Sequence, residues 1–147
     1  MKKITKLLFI SFIIIIFLFS SQSKSDSSTI SDNILIWIGI ITKHDIIYQT
    51  ENYFFFHNFI RKIAHFTLYF CLGVIGTKLD KKLLILSIFI PFLDEYLQSF
   101  NLGRDSNFFD IFIDLLGLFA GFLFILKGRK LIDKIFEYIH LESNNDF

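Results

Sequence analysis

The sequence predicts an all-α integral membrane protein, a bundle of four transmembrane helices with both termini cytoplasmic and a C-terminal amphipathic helix. Three observations carry that expectation. Hydrophobic residues make up 53% of the 147 residues and mean hydropathy is +0.55, more apolar surface than a domain this small can hide from water. That surface is gathered into four long apolar runs, close to the length a bilayer requires. The basic residues cluster on alternate connections between those runs, as the positive-inside rule demands of a multi-pass chain.

The elements follow in order. Leu7 to Phe19 lies behind Lys2, Lys3 and Lys6; no Ala-x-Ala site follows it, so an uncleaved helix is favoured over a signal peptide. Ser20 to Ser31 reads as a polar outer loop, and Ile34 to Ile41, with Trp37, as a short interfacial piece. The second span runs from Ile63 to Leu79, with a possible start near Tyr53; the third from Leu83 to Phe100; and the fourth from Phe108 to Leu126. At about 1.5 Å per residue these three cover roughly 25–29 Å, close to a hydrocarbon core. Four crossings place ten of the fifteen Lys and Arg residues on one side, the cytoplasmic one, and leave Lys24, Lys43, Arg61, Lys62 and Arg104 outside. Residues 1–126 form the membrane domain, and 127–147 a cytoplasmic tail in which Leu131, Ile132, Ile135, Phe136 and Ile139 recur at helical spacing. The formal charge of +1 excludes bulk attraction to nucleic acid. The single Cys71 excludes an internal disulfide and a Cys-cluster zinc site.

Polar residues interrupt the apolar helices at one level. An ionisable side chain at the bilayer centre is disfavoured by about 2.5–3.5 kcal/mol on insertion scales. Yet Lys62 and His65 open the second span, Asp94, Glu95 and Gln98 lie in the third, and Asp110 and Asp114 in the fourth. Asp94 falls six residues before the outer end of its span and Asp114 six residues after the start of the next, each roughly 9 Å down. The pairs His65 and Tyr69, Asp94 and Gln98, and Asp110 and Asp114 are each i,i+4 and share a helix face. Gly117 and Gly121 continue the Asp110–Asp114 face as a stripe on which another helix can approach closely. Pro91, a turn before Asp94, removes a backbone hydrogen bond and predicts a kink or a freed carbonyl bordering the site. These groups could simply neutralise one another and register the helices; in a membrane, inward polar residues point to a functional site. His57 reads as an interfacial residue and Cys71 as packing.

In this order the residues resemble the VanZ-like membrane proteins. The segments carrying the resemblance are Arg61-Lys62-Ile-Ala-His65-Phe66-Thr-Leu-Tyr69, Asp94-Glu95-Tyr-Leu-Gln98, Gly103-Arg104, then Asp110, Gly117 and Gly121. Phe19-Ser20-Ser21-Gln22 with Ser27 and Ser28 is similar to the family's outer-loop signature. Leu102 stands where the family usually has Pro, Leu68 where it often has Glu, and Asp114 where it usually has Asn. The resemblance implies an envelope protein of the bacterial cell membrane associated with low-level resistance to teicoplanin, a glycopeptide that binds the peptidoglycan precursor outside the membrane.

Two kinds of function fit these residues. In the first, a lipid head group or lipid-linked envelope precursor is modified. His65, Asp94, Glu95 and Asp110 carry proton transfer, and Lys62, Arg104, Tyr69, Gln98 and Asp114 bind the substrate. In the second, the same residues bind or shield envelope lipids or precursors without chemistry. A small transporter is weaker, since no polar residues lie in the inner half of the membrane. Asp110 with Asp94 could hold Mg²⁺ or Ca²⁺, but no spacing demands an ion, and neither metal nor cofactor is assigned. Oligomeric state is left open.

Overall fold

The computed structural model describes residues 2–79, 81–101 and 107–145, and their side chains apart from those of 2, 24, 81, 82, 129 and 131–145. Among the described residues seven helices follow one another: α1 (Lys2–Ser20), α2 (Lys24–Trp37), α3 (Lys43–Tyr48), α4 (Glu51–Gly76), α5 (Lys81–Ser87), α6 (Ile90–Gln98) and α7 (Phe108–Asn145). The described residues are predominantly helical and form no strand. Among the described residues three helices hold a stretch long and apolar enough to cross a membrane, Lys3–Ser20, Glu51–Gly76 and Phe108–Gly128. Their outer faces carry large apolar side chains, with Leu18, Phe55 and Phe124 all more than 60% exposed. A water-soluble surface does not present apolar area so continuously, whereas lipid tails would cover it. The chain is a helical membrane protein.

The expected third span arrives as two helices. Pro91 has no N–H to give to the carbonyl one turn back, and its ring displaces that carbonyl. The chain tightens there, with Ile88 and Phe89 donating to Ile85 and Leu86, three residues back. The Ser87 hydroxyl turns to the Leu84 carbonyl at 2.5 Å. Pro91 then sits in the first turn of α6, where its missing donor costs nothing further. The expected kink is thus a full break between α5 and α6.

The Ser20–Ser31 region is not a loop: α2 begins at Lys24. Ser23 caps it by accepting from the Asp26 N–H. Thr29 and Ser31 return their hydroxyls to the carbonyls of Ser25 and Ser27. These residues are poor helix formers in isolation, and what holds the helix is packing. Leu35, Ile41 and Tyr53 are buried together where α2 lies against α4. The same packing buries His57, read above as interfacial, beside Asp32 at 3.9 Å and against the Tyr53 ring. At the other end, the helix expected to stop at Leu126 continues to Asn145. Gly128 keeps a helical φ and so does not cap it. The apolar stripe Leu131 to Ile139 lies beyond the described side chains.

The main packing is α4 against α7. A Cβ on Gly117 would overlap the carbonyl of Phe66, one on Gly121 that of Phe70, and one on Gly73 that of Leu118. The two backbones therefore touch along the predicted small-residue stripe. Because contact advances by four residues in both helices at once, α4 and α7 run parallel. Residues 77–107 must then carry the chain from the far end of the pair back to the near end. Helix α1 fills the remaining side, with Phe9 and Ile16 in the core beside Tyr69, Leu72, Ile90 and Leu118.

Candidate functional site

Four helices bring polar side chains to one point near the end of the bundle where α1 and α6 finish and α7 begins. Ser20 is the last residue of α1, His65 and Tyr69 share a face of α4, Asp94 and Gln98 share a face of α6, and Asp114 lies in the second turn of α7. The close approach at Gly117 sets the height of Asp114. Gly117 meets Phe66, the neighbour of His65, and Asp114 is one turn earlier on the same face. The break at Pro91 re-aims α6, so that Asp94 turns inward while Phe92 and Leu93 stay outside.

His65 stands between two carboxylates. Its Nδ1 is 3.3 Å from Asp114 Oδ1 and 4.0 Å from Asp94 Oδ2. Asp94 and Asp114 are 0% and 1% exposed, whereas the His65 side chain retains 23% of its surface and forms the opening. The other oxygen of Asp94, Oδ1, accepts from the Ser20 hydroxyl, and Gln98 Nε2 donates to Oδ2 at 3.3 Å. Tyr69 is fully buried with its hydroxyl toward Asp94. Asn101 ties the end of α6 to the end of α1 by donating to the Ser20 carbonyl. Among the described residues no lysine or arginine pairs with Asp94 or Asp114.

The remaining predicted site residues are placed differently. Glu95 accepts from the backbone N–H of Asn107 at 2.5 Å, just ahead of α7, and lies within electrostatic reach of Asp110. It anchors the helix start, where a carboxylate also suits the helix dipole. Asp110 is partly buried in the first turn of α7. Lys62 is exposed, with Nζ 5.1 Å from the centre of the Phe109 ring. Arg104 lies outside the described residues. Asp114, expected as a substrate contact, lies beside His65.

Ser20 is the residue that sequence reasoning missed. Its only signal was its place in the Phe19–Gln22 segment, and nothing local shows that it faces Asp94, 74 residues away. Beside His65 a cavity of about 380 Å³ opens between the end of α1, α2 and α4. Phe19, Ile30, Ile34 and Leu68 give it apolar walls, and Gln22 and Arg61 add polar groups. An imidazole held by two carboxylates can carry a proton or bind a cation. The ligand atoms of His65, Asp94 and Asp114 all lie within 4.8 Å of one another.

Compared with known families, residues 6–132 match the model described as VanZ/LLP1. No curated protein and no solved structure matches the chain.

Proposed function

The chain belongs to the VanZ/LLP1 family, and we propose that it modifies a lipid head group or lipid-linked envelope precursor at the outer face of the bacterial cell membrane, through the cluster around His65. The observation that carries this reading is a histidine between two buried carboxylates, open on one side to a cavity with apolar walls. Polar groups of this kind are costly inside a membrane, and where they are kept they mark functional sites by default. The cavity suits a molecule with both an apolar chain and a polar head. Imidazole and carboxylate provide proton transfer near neutral pH. Arg61 at the cavity, with Lys62 next to it in sequence, supplies a cation for a phosphate, the role also expected of Arg104. Such chemistry on surface precursors would alter susceptibility to teicoplanin-type glycopeptides.

The outer location rests on topology. Parallel α4 and α7 require residues 77–107 to return across the bundle, which supports α5 and α6 acting together as a broken crossing. With four crossings, both termini and ten of the fifteen basic residues lie in the cytoplasm. The site end is then the outer one.

The test compares lipids and lipid-linked precursors by mass spectrometry in strains with the native protein, with none, and with Asp94→Asn or His65→Gln at matched abundance. A species that changes on deletion and in both variants is expected, and its mass difference names the reaction. If both variants behave as native while deletion alters glycopeptide sensitivity, the protein binds or shields envelope lipids without chemistry.

A further inference from the structure

We infer that His65 Nδ1, Asp94 Oδ2 and Asp114 Oδ1 bind one divalent transition-metal ion, Zn²⁺ being the type case. This takes further, and rests on, the reading of the cluster as the working site, and it adds a cofactor. The three donors come from three helices, at 3.3 Å and 4.0 Å from His65 and with all atoms within 4.8 Å. Ligands about 2.0–2.2 Å from a zinc ion sit a little over 3 Å apart in a tetrahedron. A contraction of about 1.5 Å or less, within the reach of side-chain torsions, completes the site.

Charge points the same way. Asp94 and Asp114 bring two carboxylates into a region shielded from water, and His65 can offset at most one of them. Among the described residues no lysine or arginine is paired with either, so a dication would balance the pair. A separate observation concerns unmet polar atoms aimed at this point. Asp114 Oδ1 and the Tyr69 hydroxyl, on residues 1% and 0% exposed, have no well-aligned hydrogen-bond partner among the described residues. A buried polar atom left in that condition is destabilising unless something fills the gap.

The supporting contacts are those of a metal ligand. Ser20 holds Asp94 through Oδ1, and Gln98 donates to Oδ2 itself, fixing the oxygen that faces His65, as outer contacts orient ligating carboxylates elsewhere. The imidazole donor favours zinc or iron over magnesium and calcium, which prefer all-oxygen sets, and the two carboxylates also suit manganese. Three protein ligands also leave a coordination position for water or a phosphate oxygen, the pattern of catalytic rather than structural sites. With an ion bound, His65 Nδ1 would serve as a ligand, and the ion would supply an acidified water for the chemistry.

The experiment uses the full chain without a polyhistidine tag, purified in detergent. Metal content is measured by mass spectrometry, and Zn²⁺ and Mn²⁺ affinities by calorimetry after chelation. One ion per chain is expected in the native protein. Affinity should fall at least about tenfold in His65→Gln and Asp114→Asn and stay unchanged in His57→Gln, which alters the other His–Asp pair. Thermal melting of the native protein, raised by the added ion, gives a second readout that needs no variant. Native protein that takes up neither ion, or equal affinity in all three variants, overturns the inference. Ion binding with an unaltered lipid profile would fail the lipid reading and leave the metal site standing; an Asp94-dependent lipid change without any ion would do the reverse.

Discussion

At the scale of single residues, Asp94 has two oxygens with different tasks. Ser20 takes one, and the other faces His65. Ser20→Ala should leave the fold intact, since a hydroxyl is lost without opening a large cavity. It should weaken the cluster by about tenfold, read as ion affinity or as the amount of altered lipid, because Asp94 loses its orientation. Away from the cluster, Asp45 makes a capping box with Thr42 at the start of α3. The Thr42 hydroxyl, then its N–H, then the Thr50 hydroxyl hold the Asp45 carboxyl below its ordinary value. The folded value is thus the lower one, so the cap is fully present at neutral pH. It is lost as pH falls below the ordinary carboxylate value of 3.8 through the depressed folded value. Amide NMR shifts of Thr42 and Asp45 followed through an acid titration report it; a midpoint at or above the ordinary value would contradict the geometry.

At the scale of elements, the α4–α7 contact and the α5–α6 break decide where the polar groups point. Gly117→Leu puts a side chain into the Phe66 backbone. The helices must separate, at about 1–3 kcal/mol of stability, which thermal unfolding in detergent measures, and Asp114 moves away from His65. Gly128→Leu, whose Cβ meets open space, is the matched control and should be neutral. Pro91→Ala restores the N–H that a continuous helix needs. Helices α5 and α6 should merge, with stability kept or raised, while Asp94 rotates out of register and cluster function falls. A variant that keeps full function would show that the break does not aim Asp94.

At the scale of the whole molecule, the proposed four crossings need α5 and α6 to return the chain between the parallel helices α4 and α7. Cysteine labelling checks this in a Cys71→Ala background, since that residue is the chain's single cysteine. Ser25 and His44, both exposed, should react from outside intact cells once changed to cysteine, and Lys78 and Lys127 only after permeabilisation. Lys78 reacting on the same side as Ser25 would remove the broken crossing and turn the C-terminal half over.

Much of this protein is local in origin. Apolar runs flanked by charge specify membrane helices, because burying a run's backbone and side chains in lipid needs no partner beyond the helix itself. The i,i+4 pairs likewise put His65 with Tyr69 and Asp94 with Gln98 on common faces wherever the helices go. The Gly117 and Gly121 stripe marked a close contact before its partner was known. Tertiary structure alone decided which groups meet. That Asp114 rather than Glu95 faces His65, that Ser20 reaches Asp94, and that a serine-rich segment becomes a helix covering His57 all depend on neighbours distant along the chain. Residue type and spacing encode what a helix offers on each face. Which face is used is set by the packing of one helix against another, and that is a property of the assembled bundle.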